Sequence, residues 1–182
     1  IKAVGAESAF KCGGIPCDAI ETDIGDKPSL QRGAKWFANY CMGCHSAKFS
    51  RYERVADDLG IPHELAVDHL IFGDEKIGSL MASSMRPEDS KIWFGAPPPD
   101  LTLAARARSP EWLYTYLRSF YADPSRPFGV NNLVFDKVGM PHVMLELQGL
   151  PECAAGSKDD GHGHMVDSDC ASLEVDTVKG SM

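Results

Sequence analysis

The run Cys41-Met42-Gly43-Cys44-His45 constrains this chain more than any other stretch in it. A C-x-x-C-H sequence at the end of a helix is the attachment pattern of a c-type haem. Two cysteines three positions apart lie on neighbouring faces of one turn, so each sulfur can meet a vinyl group at the porphyrin edge. His45 then falls beneath the iron, where an imidazole is a good axial ligand. The pattern implies an electron carrier in which the polypeptide supplies burial, a second axial ligand and a docking face.

C-x-x-C by itself also serves redox dithiols and zinc sites. A thioredoxin-type dithiol would follow a strand in a βαβ setting, and no such setting surrounds residues 41–45. A zinc site needs a second ligand pair at comparable spacing. Neither the Cys12 and Cys17 pair nor the distant Cys153 and Cys170 supplies it. The histidine directly after the second cysteine therefore favours haem attachment.

At 182 residues and 43% hydrophobic content the chain suits one haem-bearing domain with a core. A formal charge of −8 argues against nucleic acid, whose phosphates would be repelled, and favours a cationic partner where charge steers docking. Two of the six cysteines belong to the motif. The remaining four can form disulfides in an oxidising compartment. The first residue is Ile1, which reads as a leader removed or not included, and no apolar run is long enough for a membrane span.

Along the chain a mainly helical fold with long irregular loops is expected. Residues 1–27 read as an N-terminal arm, where a local Cys12–Cys17 bridge belongs to one of the three connectivities open to the four remaining cysteines. A helix opens at Pro28-Ser29 with Ser29 as its cap, and Leu30, Gly33, Ala34, Phe37 and Tyr40 recur at helical spacing up to the motif. Gly33 reads as a place where another helix crosses closely. Residues 46–60 read as loop and then a short helix stopped by Gly60. A helix beginning at Ile61-Pro62 carries a stripe of Leu65, His69 and Phe72, with His63 and His69 at the surface. Residues 81–99 contain Met85, Trp93, Phe94 and the Pro97-Pro98-Pro99 run, and are expected to wrap the cofactor as irregular chain. Arg106 and Arg108 are candidates for the haem propionates.

The clearest amphipathic helix follows Ser109-Pro110-Glu111: serine caps it, proline fills its first position, and Trp112, Leu113, Tyr116, Leu117 and Phe120 form its buried stripe. Asn131-Asn132 reads as a turn. In Gly139-Met140-Pro141-His142, a glycine and proline bracket presents a thioether from a rigid loop, which makes Met140 a candidate second axial ligand. Met81, Met85, Met144 and His142 compete with it. Residues 151–182 read as an exposed polar loop clipped by Cys153 and Cys170. The His162-Gly163-His164 run within it is a weak candidate for metal binding.

Taken in order, the haem motif, Pro97-Pro98-Pro99-Asp100-Leu101, Arg106-Ala107-Arg108 and Gly139-Met140-Pro141 give the chain a resemblance to the cytochrome c1 family of the quinol:cytochrome c oxidoreductase, or bc1 complex, in its bacterial form. The resemblance covers roughly residues 23–150 and implies a cytochrome c-like haem domain over 28–150. It implies one covalent haem c held by Cys41 and Cys44, with His45 and Met140 as the iron ligands. It also places Arg108, and less firmly Arg106, near a propionate, and Pro98 in the haem crevice. The family further implies a redox subunit without substrate chemistry of its own, passing electrons from the Rieske iron-sulfur protein to a soluble or membrane-bound c-type cytochrome. Cytochrome b completes a dimeric membrane complex at the periplasmic face of the inner membrane. Family members close the fold with a carboxy-terminal helix and a membrane anchor, so the natural polypeptide is expected to continue past Met182. A freely diffusing periplasmic monohaem cytochrome is the alternative, and a haem-based sensor or peroxidase-like enzyme is a third, which Met140 disfavours.

Overall fold

The first helix starts at a carboxylate. Asp26 accepts a hydrogen bond from the Ser29 amide at 3.0 Å, and Pro28 contributes the fixed φ of a first-turn residue, so α1 runs Lys27–Trp36. The cap is therefore Asp26, and the expected Ser29 cap is corrected: the Ser29 amide is the group being capped. The structure is a computed structural model and describes residues 12–159 and 165–174. The chain divides into two units, Glu21–Ala107 and Arg108–Met182 with Ile1–Ile20.

In the unit Glu21–Ala107, α1 passes without a break into a π-helical turn, Phe37–Cys41, that delivers the chain to the cysteine motif. Next come β1 (Ala47–Arg51), α2 (Tyr52–Leu59), α3 (His63–Leu70), β2 (Leu80–Met81), α4 (Pro87–Phe94) and α5 (Ala104–Arg108), whose last residue lies across the unit boundary. β1 and β2 pair antiparallel, with Ala47 opposite Met81. Gly60 takes φ +67° and ends α2 in the left-handed conformation glycine tolerates, as the sequence anticipates. Ala38, Met42, Tyr52, Ala56, Ala66, Leu70 and Met81 are the centre of this unit's core.

Three sequence expectations change here, the first at residues 47–51, which form β1 instead of the expected loop. The inward face of α3 carries Ala66 and Leu70, whereas Leu65 is 49% and Phe72 67% exposed, so the predicted stripe was one position out of phase. His63 and His69 lie at the surface as expected. Residues 81–99 are not wholly irregular, because Pro87 opens α4 with Glu88 and Asp89 in its first turn. The close crossing expected at Gly33 has no partner helix among the described residues to test it: a Cβ there would meet nothing within 4 Å, and the residue lines an open apolar groove of ≈ 300 Å³.

The unit containing Arg108–Met182 begins with α6 (Pro110–Arg118), where Ser109 caps by accepting from the Trp112 amide at 3.2 Å. The helix stops at Arg118, and Phe120 opens β3 (Phe120–Ala122), so Phe120 is not on the helical stripe as expected. β3 pairs antiparallel with β4 (Val130–Asn132), which replaces the expected Asn131-Asn132 turn. The short α7 (Leu145–Gln148) follows. The expected polar loop instead contains β5 (Glu152–Asp159) and β6 (Met165–Glu174), antiparallel and bridged by a Cys153–Cys170 disulfide.

Cys12 and Cys17 form a local disulfide, which selects one of the three connectivities the sequence leaves open. Beside it Gly13, at φ +63°, lies so close to the Val134 carbonyl that a Cβ would fall 2.6 Å from its oxygen. Phe120, Val130 and Val138 form this unit's apolar centre, with Tyr116 and Met140 packed on it. Residues 1–11, the His162-Gly163-His164 run and residues 175–182 lie outside the described residues. Among the described residues the fold thus combines seven short α-helices with three two-stranded sheets, a more mixed architecture than a mainly helical one. No helix among them is long and apolar enough to cross a membrane.

Candidate haem-attachment site

The π-helical turn ends on Cys41, whose carbonyl accepts from the Cys44 amide at 3.1 Å and from the His45 amide at 2.8 Å. These two bonds wind the motif into one tight turn, with Met42 tucked 9% exposed into the core and Cys41, Cys44 and His45 partly exposed. Tyr52 donates its hydroxyl toward the Met42 sulfur at 3.9 Å, which fixes the inner side of the turn. Gly43 needs no room for a side chain, yet its carbonyl accepts from the Ser83 hydroxyl at 3.2 Å.

The segment after the proline run is stitched to the same turn. Leu101 N–H donates to the Ser46 carbonyl at 2.7 Å, and Lys48 N–H donates to Asp100 Oδ2 at 2.8 Å. Asp100 Oδ1 also accepts from the Thr102 amide at 3.1 Å, the local turn that an Asp two residues ahead of a threonine makes. Burial alone would raise the Asp100 carboxyl, but the hydrogen bonds from Lys48 and Thr102 outweigh it and hold the group below the usual range. Asp100, Thr102, Ser46 and Ser83 were missed as anchors. Only the Asp-x-Thr spacing carried a local signal for any of them.

The chain is held here so that the Pro99 carbonyl meets His45 Nδ1 at 2.8 Å. A carbonyl oxygen only accepts, so Nδ1 carries a proton, and in the neutral ring Nε2 keeps its lone pair. That is the arrangement of a metal-ligating histidine, whose orientation and basicity are set by a bond from its other nitrogen.

Cys41 and Cys44 are the two cysteines not joined in disulfides. Burial raises the Cys41 thiol, with the neighbouring Cys44 adding to the effect, and burial raises Cys44 as well. A redox dithiol needs the opposite, a thiol lowered toward the thiolate. Among the described residues no three His, Cys, Asp or Glu side chains gather to hold a metal ion. Two unpaired, protonated thiols and a preset imidazole nitrogen on one turn are a donor set that fits a covalently attached iron porphyrin.

Elsewhere in this unit Pro98 is half-buried in its irregular run and Arg106 is exposed on α5. Of the other candidate sulfurs here, Met81 is 6% exposed and belongs to the core, while Met85 is partly buried after Ser83.

In the other unit Arg108 lays its guanidinium over the Trp112 ring at 5.0 Å. Met140 sits partly buried on the Phe120 cluster, and the Tyr116 hydroxyl donates to its sulfur at 3.4 Å. Burial pushes the Tyr116 phenol up to about 12, so it remains a donor at neutral pH. His142 is stacked on Phe120 with ring centroids 4.9 Å apart, and its Nε2 donates to the Gly149 carbonyl at 3.1 Å. Its ring is thus engaged in packing within its own unit. Burial lowers its basicity, with the Gly149 bond opposing. Met144, the remaining competitor, is the partly buried residue preceding α7.

Comparison with known proteins finds three relatives. Cytochrome c1 of Allochromatium vinosum is 54% identical over 140 residues, covering 77% of this chain and 57% of that protein. The ammonia monooxygenase gamma subunit of Nitrosomonas europaea is 50% identical over 135 residues, 74% of this chain and 57% of that protein. Cytochrome c1 of Rhodospirillum rubrum is 29% identical over 121 residues, 56% of this chain and 44% of that protein. The match therefore spans little more than half the length of the first two relatives and less than half of the third. No protein-family model matches it.

Proposed function

This chain is related to bacterial cytochrome c1 along 140 of its residues, and from that relationship we propose that it is the electron-transfer subunit of a quinol:cytochrome c oxidoreductase. The bound haem supplies one-electron exchange between ferric and ferrous iron. Cys41 and Cys44 fasten it through thioethers, and His45 offers Nε2 to the iron while Pro99 holds Nδ1. Met140 would supply a thioether sulfur to hold the iron. Histidine with methionine keeps the potential high enough to accept electrons from a Rieske centre. Pro98 lines the crevice and excludes water, while Arg108 and Arg106 offer guanidinium groups to the propionates. The residues 28–150 act as the haem domain.

The single observation that carries this reading is the 2.8 Å bond from His45 Nδ1 to the Pro99 carbonyl on the turn that bears two unpaired thiols. It leaves a nitrogen preset for iron beside two sulfurs available for covalent attachment; a dithiol requires no such nitrogen, and the further ligands a zinc site needs do not gather among the described residues. In the proposed assembly the chain takes electrons from a Rieske iron-sulfur protein and gives them to a c-type cytochrome. Cytochrome b holds the quinol chemistry of a dimeric complex at the periplasmic face of the inner membrane. A membrane anchor would lie outside these residues.

Detergent extraction of native membranes tests the proposal. The haem-bearing polypeptide is expected to copurify with cytochrome b and a Rieske protein and to be reduced by quinol only in their company. Recovery as a soluble monomer would instead identify a diffusing shuttle. The name of the Nitrosomonas relative supports a second reading, a haem-bearing subunit of a different oxidase assembly. Copurification with a monooxygenase and without cytochrome b would select it.

A further inference from the structure

The phenol of Tyr116 faces a sulfur rather than a carbonyl or solvent. Its oxygen lies 3.4 Å from Met140 Sδ, within reach of a weak hydrogen bond to a thioether. The ring that carries this hydroxyl is held from two sides. It stacks on Trp112 at 5.0 Å with the planes 8° apart, and meets Phe120 edge-on at 5.3 Å. Phe120 in turn stacks on His142, two residues beyond the methionine. The backbone carbonyl of Tyr116 accepts from Asn132 Nδ2 at 2.7 Å, which fixes the end of α6 beneath the ring. The Met140 segment is thus held twice, at the sulfur by the Tyr116 hydroxyl of α6 and at His142 by the Phe120 ring of β3.

We propose that Tyr116 is the positioning residue for Met140, its hydroxyl occupying one sulfur lone pair so that the other is left, in a fixed direction, for iron. The inference rests on the ligand role given to Met140 above. A donor on the sulfur also draws electron density from it. A poorer sulfur donor stabilises the electron-deficient ferric state less than the ferrous state, so Tyr116 raises the potential. The aromatic stripe of α6 is then part of the redox apparatus as well as of the core.

Tyr116→Phe keeps the ring and removes the hydroxyl. In the haem-loaded protein the variant is expected to titrate at a lower midpoint. One neutral hydrogen bond made in the ferrous state alone corresponds to at most roughly a fivefold shift toward the oxidised form at fixed ambient potential. The thioether-to-iron absorption band should remain but move. The reduced protein should show the Met140 S-methyl resonance broadened or split as the sulfur samples more than one orientation. An unchanged midpoint together with an unchanged S-methyl signal would overturn the inference.

Met140→Leu separates this from failure of the ligand assignment. Loss of the band in that variant with no effect of Tyr116→Phe sinks the positioning role alone, whereas a band that survives Met140→Leu sinks both. A measurement on the unaltered protein covers the case in which Tyr116→Phe fails to fold. A nuclear Overhauser contact between the Tyr116 ring and the Met140 methyl is expected in the reduced state, and its absence would overturn the inference.

Discussion

Asn132 is 1% exposed, and its side chain does the work of several backbone bonds. Its Oδ1 accepts from the Val134 amide at 2.9 Å, from the Phe135 amide at 3.2 Å and from the Ser119 hydroxyl at 3.2 Å. Its Nδ2 donates to the Tyr116 carbonyl at 2.7 Å. In Asn132→Ala not every partner is stranded. The Tyr116 carbonyl still accepts from the Ser119 amide and hydroxyl, each at 3.3 Å, so that carbonyl and that hydroxyl keep a bond. The Val134 amide has no such substitute and belongs to a residue 6% exposed, whereas Phe135 is 50% exposed and its amide can reach water. One fully orphaned buried amide and one partly orphaned one cost about 2–3 kcal/mol together. For a chain of this size that lowers the melting temperature by roughly 5–10 °C.

Asn132→Asp keeps the acceptor but replaces the donor to Tyr116 with a buried carboxylate, so at neutral pH it should destabilise at least as much as alanine. Urea and thermal unfolding, followed by circular dichroism and by haem absorbance, measure both variants. An alanine variant within about 0.5 kcal/mol of the parent, the range of an ordinary surface change, would refute the reasoning. So would an aspartate variant more stable than the alanine one.

Other outcomes follow from single contacts. Asp26→Ala removes the bond that caps α1 and should cost about 1 kcal/mol, read as a lower urea midpoint, while Ser29→Ala should cost less because only its amide is used. Gly13→Ala forces a Cβ against the Val134 carbonyl at a positive φ and should cost at least ~1–2 kcal/mol. An unchanged unfolding midpoint would show that the Cys12–Cys17 loop does not pack there. His63 is raised by its hydrogen bond to Asp57, with charge attraction adding to it. The stabilisation is therefore fully present below the ordinary histidine value of 6.5 and fades as pH rises through the higher folded value. The urea midpoints of the parent and Asp57→Asn should accordingly differ most in acid and converge in alkali.

The attachment motif was legible because its chemistry is written in adjacent residues. The start of α6 was legible for the same reason: serine, proline and glutamate sit beside one another and each acts within one turn. What the sequence concealed depends on partners far along the chain. The Pro99 carbonyl meets His45 across 54 positions and Tyr116 meets Met140 across 24, and no local pattern marks either pair. Phe120 extends a helical period by number, yet α6 ends before it because β3 pairs with β4. Polar and small residues in 152–159 and 165–174 looked like loop composition, and cross-strand pairing with a disulfide made strands of them. The α3 stripe was misplaced because Ala66, a small residue easily passed over, takes the inward position that Leu65 was expected to fill.

In the proposed function Cys41 and Cys44 carry a porphyrin by covalent bonds. Intact-mass measurement of the denatured native polypeptide, paired with acidified-acetone extraction, tests it most directly. One haem should remain with the chain through both treatments and be lost from the chain when Cys41 and Cys44 are both replaced by alanine. A polypeptide of unmodified mass, with its pigment released into the solvent, would contradict the account.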